Sequence, residues 1–420
     1  MRGKGCHDFF VNQSLFHFYI FPMNFSAKTR AMRGASTAHS QQARLYRAFR
    51  LVLAYTIACG TWLTGASVLQ AQAVGGAAGG AAVPFITIGP DSRASGMGDV
   101  GTGLADDVNA IHWNPAGLAF QYDRQIGISF SSWLPQFNAG LSYNRLNYSQ
   151  YVSALGGTVA ADVLVFNLGE FIRTDPNGRE TGRFRSFEYT VNVAYATQLG
   201  DDWGIGFGLK YIESNLGESA GSGGGGIGRS GAVDLSVLWK PLKLRIADLD
   251  LSDRISLGAN IRNIGNSMTY NQFADPLPTQ FRAGLATTFV RDEYNDLKFV
   301  ADFAKLLINR RTDGTFDAVP VVLATGWNSP NFELAGGFEY WYDRTIALRT
   351  GYYFEPARVG NRQYLTIGLG VRFSVVEFNG SYIIPTESNN PLANTLRVSL
   401  IFNFKDGKEL LGIGKTPATK

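Results

Sequence analysis

Cysteine, histidine and charge are scarce in this chain, and each shortage excludes a class of site. The 420 residues contain two cysteines, Cys6 and Cys59, and only one of the four histidines, His112, lies beyond residue 73. The chain beyond residue 73 therefore forms no disulfide, no cysteine-ligated metal site and no histidine cluster, and we expect no cofactor. Charged residues make up 17% of the chain, against about a quarter in soluble proteins.

Residues 1–73 have the layout of a secretory signal peptide. Residues 44–50 are basic, residues 51–65 form an apolar core, and a small-x-small cleavage site ends at Ala73. We predict cleavage after Ala73. The residues before the basic region have no clear pattern, which indicates an upstream start assigned too early and Met32 as the true start.

The net charge of +4 belongs to this leader. Residues 1–73 carry eight Lys or Arg and one Asp, a net +7, so the rest of the chain carries 4 − 7 = −3. No basic run with interleaved aromatic residues remains, and nucleic acid is excluded as a partner.

Beyond the leader there is no run of eighteen apolar residues, as a transmembrane helix requires, and short alternating segments are found instead. Residues 187–195, 203–211, 365–373 and 396–404 alternate large apolar residues with small or polar ones. A period of two predicts strands with one apolar face, in a soluble sandwich or in a membrane barrel. Segments of about ten residues and small residues on the second face favour the barrel. Aromatic residues near the segment ends favour it too, because barrels carry such residues at the membrane interfaces: Trp203, Tyr211, Trp239, Tyr340, Trp341, Tyr352 and Tyr353.

Fifteen segments qualify as strands, and topology reduces them to fourteen. A bacterial single-chain barrel has an even number of strands, and the weakest segment, 319–327, is interrupted by Pro320 and Gly326. The other segments are 124–133, 138–147, 158–168, 184–199, 203–216, 231–240, 254–263, 279–290, 296–303, 331–341, 345–353, 363–373, 376–384 and 394–404. The long connections predicted on the outer side are 169–183, 217–230, 264–278, 304–330, 354–362 and 385–393. We predict an all-β fold: a fourteen-stranded antiparallel transmembrane β-barrel over residues 124–404 in the bacterial outer membrane.

Residues 74–123 precede the first strand and lack its period of two. Their apolar residues suit a short helix that is ended by Pro115 and Gly117. Because an open lumen of fourteen strands would leak, we predict that residues 74–123 form an N-terminal plug or hatch. Residues 405–420 are predicted to form a periplasmic C-terminal tail.

Two parts of the sequence resemble a known family. In the N-terminal segment the shared residues are Arg93, Gly96, Met97, Gly98, Asp99, Asp106, Asp107, Asn114, Pro115, Ala116 and Gly117. In the C-terminal half they are the blocks at 339–342, 348–355 and 391–397. Together they resemble the PorV/PorQ family of type IX secretion system outer-membrane proteins, which have FadL-like barrels, over most of residues 84–404.

The resemblance implies a role without enzymatic activity. Proteins of this family bind the C-terminal signal domain of cargo that leaves the type IX translocon barrel, and shuttle it to a cell-surface attachment complex that contains a PorU-like signal peptidase. The expected partners are the translocon barrel, this attachment complex, the C-terminal domains of secreted cargo and outer-membrane lipid. The eleven N-terminal residues would form the plug or hatch motif. Aromatic residues of the outer loops are candidate partner contacts, namely Phe171, Phe184, Tyr270 and Phe273.

Two alternative functions follow from the same residues. FadL-like barrels also transport fatty acids or other hydrophobic small molecules. Asp106 and Asp107 beside His112 could serve a hydrolase, although we expect the carboxylates to cap a helix N-terminus and His112 to pack in the plug. The glycine runs at 98–103 and 221–228 do not join a strand to a helix, and we interpret them as a turn and a loop rather than phosphate sites.

Overall fold

The computed structural model describes residues 80–137, 139–218, 225–271, 273–311, 315–328, 331–356, 360–386 and 392–404. The predicted signal peptide, residues 74–79 and the predicted tail at 405–420 lie outside these residues. The described strands are β1 Arg124–Ser132, β2 Ser142–Val152, β3 Gly157–Thr174, β4 Glu180–Leu199, β5 Trp203–Glu218, β6 Gly225–Trp239, β7 Arg245–Ile246, β8 Leu249–Asp250, β9 Ile255–Gly265, β10 Met268–Tyr270, β11 Phe273–Asp275, β12 Gln280–Arg291, β13 Asn295–Leu306, β14 Phe332–Tyr342, β15 Ile346–Phe354, β16 Gln363–Phe373, β17 Val376–Pro385 and β18 Leu396–Phe404.

Fourteen of these strands close into one antiparallel barrel, as predicted. Each pairs with the next barrel strand along the chain, and β1 closes the barrel on β18, with Arg124 opposite Phe404. The short strands β7, β8, β10 and β11 form two separate ribbons. Residues Val319–Thr325 form a helix, so the interrupted segment there is correctly left out of the strand count. None of the described helices is long and apolar enough to span a membrane.

The two faces of the wall follow the alternation of the sequence. In β16, Leu365, Ile367 and Leu369 are exposed on the outside, whereas Thr366 is buried on the inside. An outer surface of large apolar side chains is the surface that a membrane requires. Small and polar residues form the inner face of the wall.

Trp341 and Tyr353 correct the prediction that aromatic residues near strand ends lie at the membrane interface. Both side chains are buried. Arg372 lies 4.4 Å from the ring centre of Trp341, and Arg362 lies 5.5 Å from that of Tyr353, so each ring makes a cation–π interaction. Both residues are in phase with the inner face, and this phase decides their environment.

The barrel has two different ends. Short turns at 200–202, 292–294, 343–345 and 374–375 join strands at one end, which we call the short-turn end. The longer connections, including 266–279 and 307–331, lie at the opposite end, which we call the long-connection end. The asymmetry is that of an outer-membrane barrel, whose longer loops are extracellular.

Two of the predicted long connections are wrong, because the strands continue through them. Strands β3 and β4 extend to Thr174 and from Glu180, and β5 and β6 extend to Glu218 and from Gly225. A bulge with Gly169 at φ +87° interrupts the register of β3, and this change of phase hides the strand from a period-two search. The connections predicted at 169–183 and 217–230 are therefore mostly hairpin.

Candidate functional site

Residues 80–123, which we call the luminal segment, run through the barrel from one end to the other. The backbone N–H of Ala82 donates to Pro276 O at 2.9 Å, at the long-connection end. The segment ends where β1 begins, at the short-turn end. Between these points it forms four short helices: Pro84–Thr87, Ser92–Ser95, Ala110–Trp113 and Pro115–Phe120. The plug was predicted over residues 74–123, and its described part lies against the inner face of the wall.

Glycines of the wall bring the luminal backbone close to the strands. A side chain at Gly337 or Gly351 would collide with the main chain of Met97, and one at Gly258 would collide with Thr102. Pro115 and Ala116 lie in the same way on Gly206 of β5. The small residues on the second face of the strands thus have a structural role: they leave the space that the luminal segment fills.

Arg93 is the centre of a buried ion-pair network. Its Nε and Nη2 donate to the two carboxylate oxygens of Glu339, both at 2.8 Å. Its Nη1 lies 2.6 Å from Asp106 and 2.8 Å from Asp107. Arg349 donates to Glu339 from the other side, at 2.8 Å. Arg93 therefore joins two parts of the luminal segment to the wall by charge-assisted bonds that need correct geometry on both sides.

The two carboxylates of the luminal segment that pair with Arg93 differ in their affinity for a proton. Burial opposes ionisation of Asp106, but the charges of Arg93 and Lys298 outweigh it and hold the pKa of Asp106 well below its usual range. Burial raises the pKa of Asp107 to about 6, although Arg93 acts in the opposite direction. Of these two carboxylates, Asp107 is therefore the one that takes up a proton first as the pH falls.

Asp99 forms a second attachment to the wall. It has φ +62°, in the left-handed region that Asp tolerates better than most residues. Its carboxylate lies 2.5 Å from Arg397 of β18 and accepts from Tyr364 of β16 at 2.6 Å. The preceding Gly98, with φ +90°, lies directly on the backbone of Tyr352, where a side chain would collide. This turn is where the predicted motif requires glycine.

Asp302 of β13 forms a third attachment, which the sequence interpretation missed. Its Oδ2 accepts from the backbone N–H groups of Gly101 and Thr102, both at 3.0 Å, and from the Thr102 hydroxyl at 2.7 Å. Arg282 balances the charge at 3.1 Å. The sequence did contain a signal for this contact. Asp302 is a carboxylate in phase with the inner face of its strand, and because an unpaired buried charge is costly, such a residue is expected to have a partner inside the barrel.

The Asn-Pro-Ala-Gly part of the motif ends a helix and binds the wall. Asn114 is the C-cap of Ala110–Trp113, and its Oδ1 accepts from Ala116 N at 3.2 Å. Its Nδ2 donates to the carbonyl oxygens of Thr102 at 2.9 Å and of Val237 at 3.1 Å. A side chain at Gly117 would collide with Ala105. Each member of this part therefore has a defined packing role.

His112 pairs with no acidic side chain in the described part of the chain. It is buried, edge-on to Trp113 with ring centres 5.1 Å apart, and its Nε2 lies 3.2 Å from Arg262. Burial and the neighbouring arginine lower its pKa well below the usual value, so the ring is neutral. Asp107 accepts from Asn109 N at 2.7 Å as well as pairing with Arg93. No group of His, Cys, Asp and Glu side chains among the described residues could hold a metal ion.

The four aromatic residues predicted as partner contacts lie at the long-connection end but in different environments. Phe171 is exposed and stacks on the half-buried Phe184, with ring centres 5.5 Å apart. Tyr270 is half-buried and packs against an apolar cluster inside the rim. The side chain of Phe273 lies outside the described residues.

The space left around the luminal segment is uneven. A cavity of about 1120 Å³ lies at the short-turn end, and its lining includes Arg93, Asp106, Asp107, Lys298 and Glu377. Two cavities deeper in the lumen have volumes of only about 20 Å³ each, room for about one water molecule. The lumen is therefore a charged vestibule that ends on a packed segment.

Comparison with solved structures shows a known barrel fold. A deletion mutant of the monoaromatic hydrocarbon channel TodX is 13% identical, over 76% of this chain and 99% of that one, with a TM-score of 0.50. The toluene transporter TodX of Pseudomonas putida is 13% identical over 76% and 98% of the two chains, with a TM-score of 0.47. A FadL homologue of Pseudomonas aeruginosa is 11% identical over 75% and 98%, with a TM-score of 0.44. At such identities the likeness concerns the fold alone, and no curated protein matches the chain.

Comparison with protein-family models identifies the family of the chain as well as its fold. The family described as type IX secretion system protein PorV matches residues 72–313, which are 242 of the 420 residues. The match includes the luminal segment and the barrel wall as far as β13. The chain therefore belongs to the PorV family, the outer-membrane barrels of type IX secretion.

Proposed function

We propose that this barrel binds the C-terminal signal domain of cargo leaving the type IX translocon and shuttles it to the cell-surface attachment complex. In this role the luminal segment is a plug, and the outer surface of the barrel carries the cargo. The partners are the translocon barrel and a complex with a PorU-like signal peptidase.

One observation carries this proposal: the luminal segment is bonded to the wall along its described length. Its contacts run from Pro276 at the long-connection end, through Glu339, Arg397 and Asp302, to Ser236, whose Oγ accepts from Ala116 N at 2.9 Å. A polypeptide could pass only if these bonds broke together. A barrel so closed acts through its surface rather than through its lumen.

Affinity purification tests the shuttle directly. We expect the tagged protein, extracted from outer membranes in mild detergent, to bring with it a large translocon barrel, a surface peptidase or secreted proteins that share a C-terminal domain. Mass spectrometry identifies them, with an unrelated tagged outer-membrane barrel of similar abundance as the control. Purification of the protein alone with a bound fatty acid would contradict the shuttle and support a transporter.

A crevice in the outer wall favours the second function, transport of hydrophobic molecules. It holds about 260 Å³ and is lined by Tyr195, Ile205, Gly206, Phe207, Leu235 and Ser236. Gly206 and Ser236 also contact the luminal segment on the inside. Hydrophobic molecules could reach the lumen here if the luminal segment moved aside.

A disulfide lock separates the two functions. The Ser92 and Ser381 hydroxyl oxygens lie 3.3 Å apart, close enough for the double variant Ser92→Cys/Ser381→Cys to form a disulfide. The described residues contain no cysteine, so the new pair has no competitor among them. We expect the oxidised variant to secrete cargo within about twofold of the wild type, because the shuttle works with the plug in place.

The single variants Ser92→Cys and Ser381→Cys control for the substitutions, and reduction of the double variant controls for the bond. If oxidation stopped cargo display, or stopped uptake of a labelled fatty acid that the reduced protein takes up, a moving luminal segment would be required and a closed shuttle would be wrong.

A further inference from the structure

The charged vestibule at the short-turn end is large enough for a ligand. Its volume of about 1120 Å³ exceeds that of most small-molecule pockets, about 300–1,000 Å³. Part of its lining is apolar, with Val375, Ile401 and Phe404, and much of the rest is charged. Because the longer loops of an outer-membrane barrel are extracellular, this end faces the periplasm, and a ligand would enter from there.

Most charges of the vestibule are neutralised within the protein. Five basic and four acidic side chains line it, an excess of one positive charge. The paired side chains are Arg93 with Asp106 and Asp107, Lys298 with Asp106, Arg291 with Asp296, and Arg372 with Glu377. Arg344 is the exception, because it lines the vestibule but forms no ion pair with any described residue. The excess positive charge therefore lies at Arg344.

Arg344 occupies a backbone position that does not suit arginine. Asp343 and Arg344 have φ of +49° and +51°, and the Thr345 N–H closes the turn on Tyr342 O at 3.0 Å. Two central residues with positive φ are typical of a type I′ turn, where Asn-Gly or Asp-Gly is preferred. The left-handed region is unfavourable for a residue with a Cβ, and residues held there cluster at ligand-binding sites. An exposed arginine in place of the favoured glycine indicates a role of its guanidinium beyond folding.

A second guanidinium lies on the neighbouring turn. The backbone N–H of Arg372 donates to Thr345 O at 2.8 Å, which joins this strand end to the turn of Arg344. The Arg372 side chain is held by Trp341 and by Glu377, which accepts from its Nε and Nη2. A guanidinium has five N–H donors, and the side chain of Arg372 is 44% exposed. Donors therefore remain for a ligand beside Arg344.

We propose that the vestibule binds an acidic, extended segment of a periplasmic polypeptide, with Arg344 and Arg372 binding its carboxylates. Guanidinium groups recognise a carboxylate through two parallel hydrogen bonds, and Val375 and Phe404, both about two-fifths exposed, offer contacts to apolar neighbours. An acyl chain fits less well, because the charged groups of the luminal segment would lose water against it. This site goes beyond the proposed shuttle, in which cargo is carried on the outer surface.

Fluorescence anisotropy tests the site with the full-length barrel in a neutral detergent. The probe is a fluorescein-labelled hexapeptide that alternates glutamate and leucine. Asparagine tolerates positive φ, so Arg344→Asn keeps the turn and is expected to weaken binding at least fivefold. Arg245→Asn is the matched control, since Arg245 is exposed at the same end but does not line the vestibule, and it should bind within twofold of the wild type. Equal affinities for the two variants, or no binding by the wild type, would overturn the proposal.

Competition identifies the chemistry of the ligand. We expect the unlabelled acidic peptide to displace the probe. Equal concentrations of inorganic phosphate, of palmitate or of a lysine–leucine hexapeptide should leave the probe bound. Displacement by phosphate would show a site for small anions, and displacement by palmitate would show a site for acyl chains. Either result would overturn the peptide site.

Cysteine labelling locates the bound peptide. Ser374 is exposed and lines the vestibule, so the acidic peptide is expected to slow the reaction of Ser374→Cys with a maleimide at least fivefold. Lys243→Cys is the control, because Lys243 is exposed at the same end outside the vestibule and should react at an unchanged rate. Binding without protection of Ser374→Cys would place the peptide elsewhere and rule out the vestibule.

Discussion

Replacing Arg93 by alanine is expected to lower the free energy of unfolding by about 3–5 kcal/mol, the usual result of removing one partner from a buried ion pair. The Glu339 side chain is fully buried and keeps Arg349, but Asp106 and Asp107 lose their main cationic partner. The luminal segment is then held near the short-turn end by weaker bonds. The midpoint of urea unfolding in detergent, followed by tryptophan fluorescence, measures the loss.

The loss should also depend on pH, in a direction that follows from Asp107. Without Arg93, burial and the charges of Asp91 and Asp106 act on this carboxyl unopposed by that arginine and raise its pKa further above that of the unfolded chain. A folded state that binds a proton more tightly than the unfolded state loses stability as the pH rises. The Arg93→Ala variant should therefore be closer to the wild type at pH 5 than at pH 8.

Arg183→Ala is the control for the Arg93 variant. Arg183 pairs with Glu180 at 2.6 Å and Glu170 at 3.2 Å, but its side chain is 57% exposed. Exposed ion pairs contribute little, so this variant is expected to unfold with the wild type at either pH. Equal losses for the two arginines would show that burial of the Arg93 network does not determine its effect.

The fold could be predicted from the sequence because the alternation of apolar and polar residues that marks a strand is a local pattern. The alternation in 365–373 specifies which side chains face lipid, and the interruption by Pro320 and Gly326 removes the one false strand. The same local signal failed at Gly169, where the bulge shifts the phase, and the last six residues of β3, 169–174, were taken for a loop. It also misplaced Trp341, because closeness to a strand end was given more weight than phase.

For the bonds between the luminal segment and the wall, the sequence predicted only the residues on the luminal segment. The motif residues Arg93 and Asp99 could be named, but their partners Glu339 and Arg397 are 246 and 298 residues away along the chain. Which inner-face residue meets which motif residue depends on strand register and tilt, and these are properties of the closed barrel. A search for ionisable residues in phase with the glycine face would have found Asp302 as well as Glu339 and Arg397, although not their partners.

The glycines of the wall permit the sharpest test of the plug. Gly337 and Gly336 are adjacent in β14 and face opposite sides of the sheet. A side chain at Gly337 would collide with the main chain of Met97, whereas a Cβ at Gly336 meets nothing closer than 3.6 Å. Because β14 pairs with both β13 and β15 at this level, the wall cannot yield, and the luminal segment must move. Gly337→Val is therefore expected to open the lumen.

The expected result is an ion conductance of Gly337→Val in planar bilayers that the wild type lacks, with a loss of about 1–3 kcal/mol in the free energy of unfolding, as for other overpacked sites. Gly336→Val has the same gain in strand propensity and places its side chain towards lipid, so it should remain closed and at least as stable as the wild type. The difference between the two variants isolates the contact with Met97. If Gly337→Val stayed closed, the luminal segment could give way without opening a path, and contact with the wall glycines would not be what fixes the position of the luminal segment.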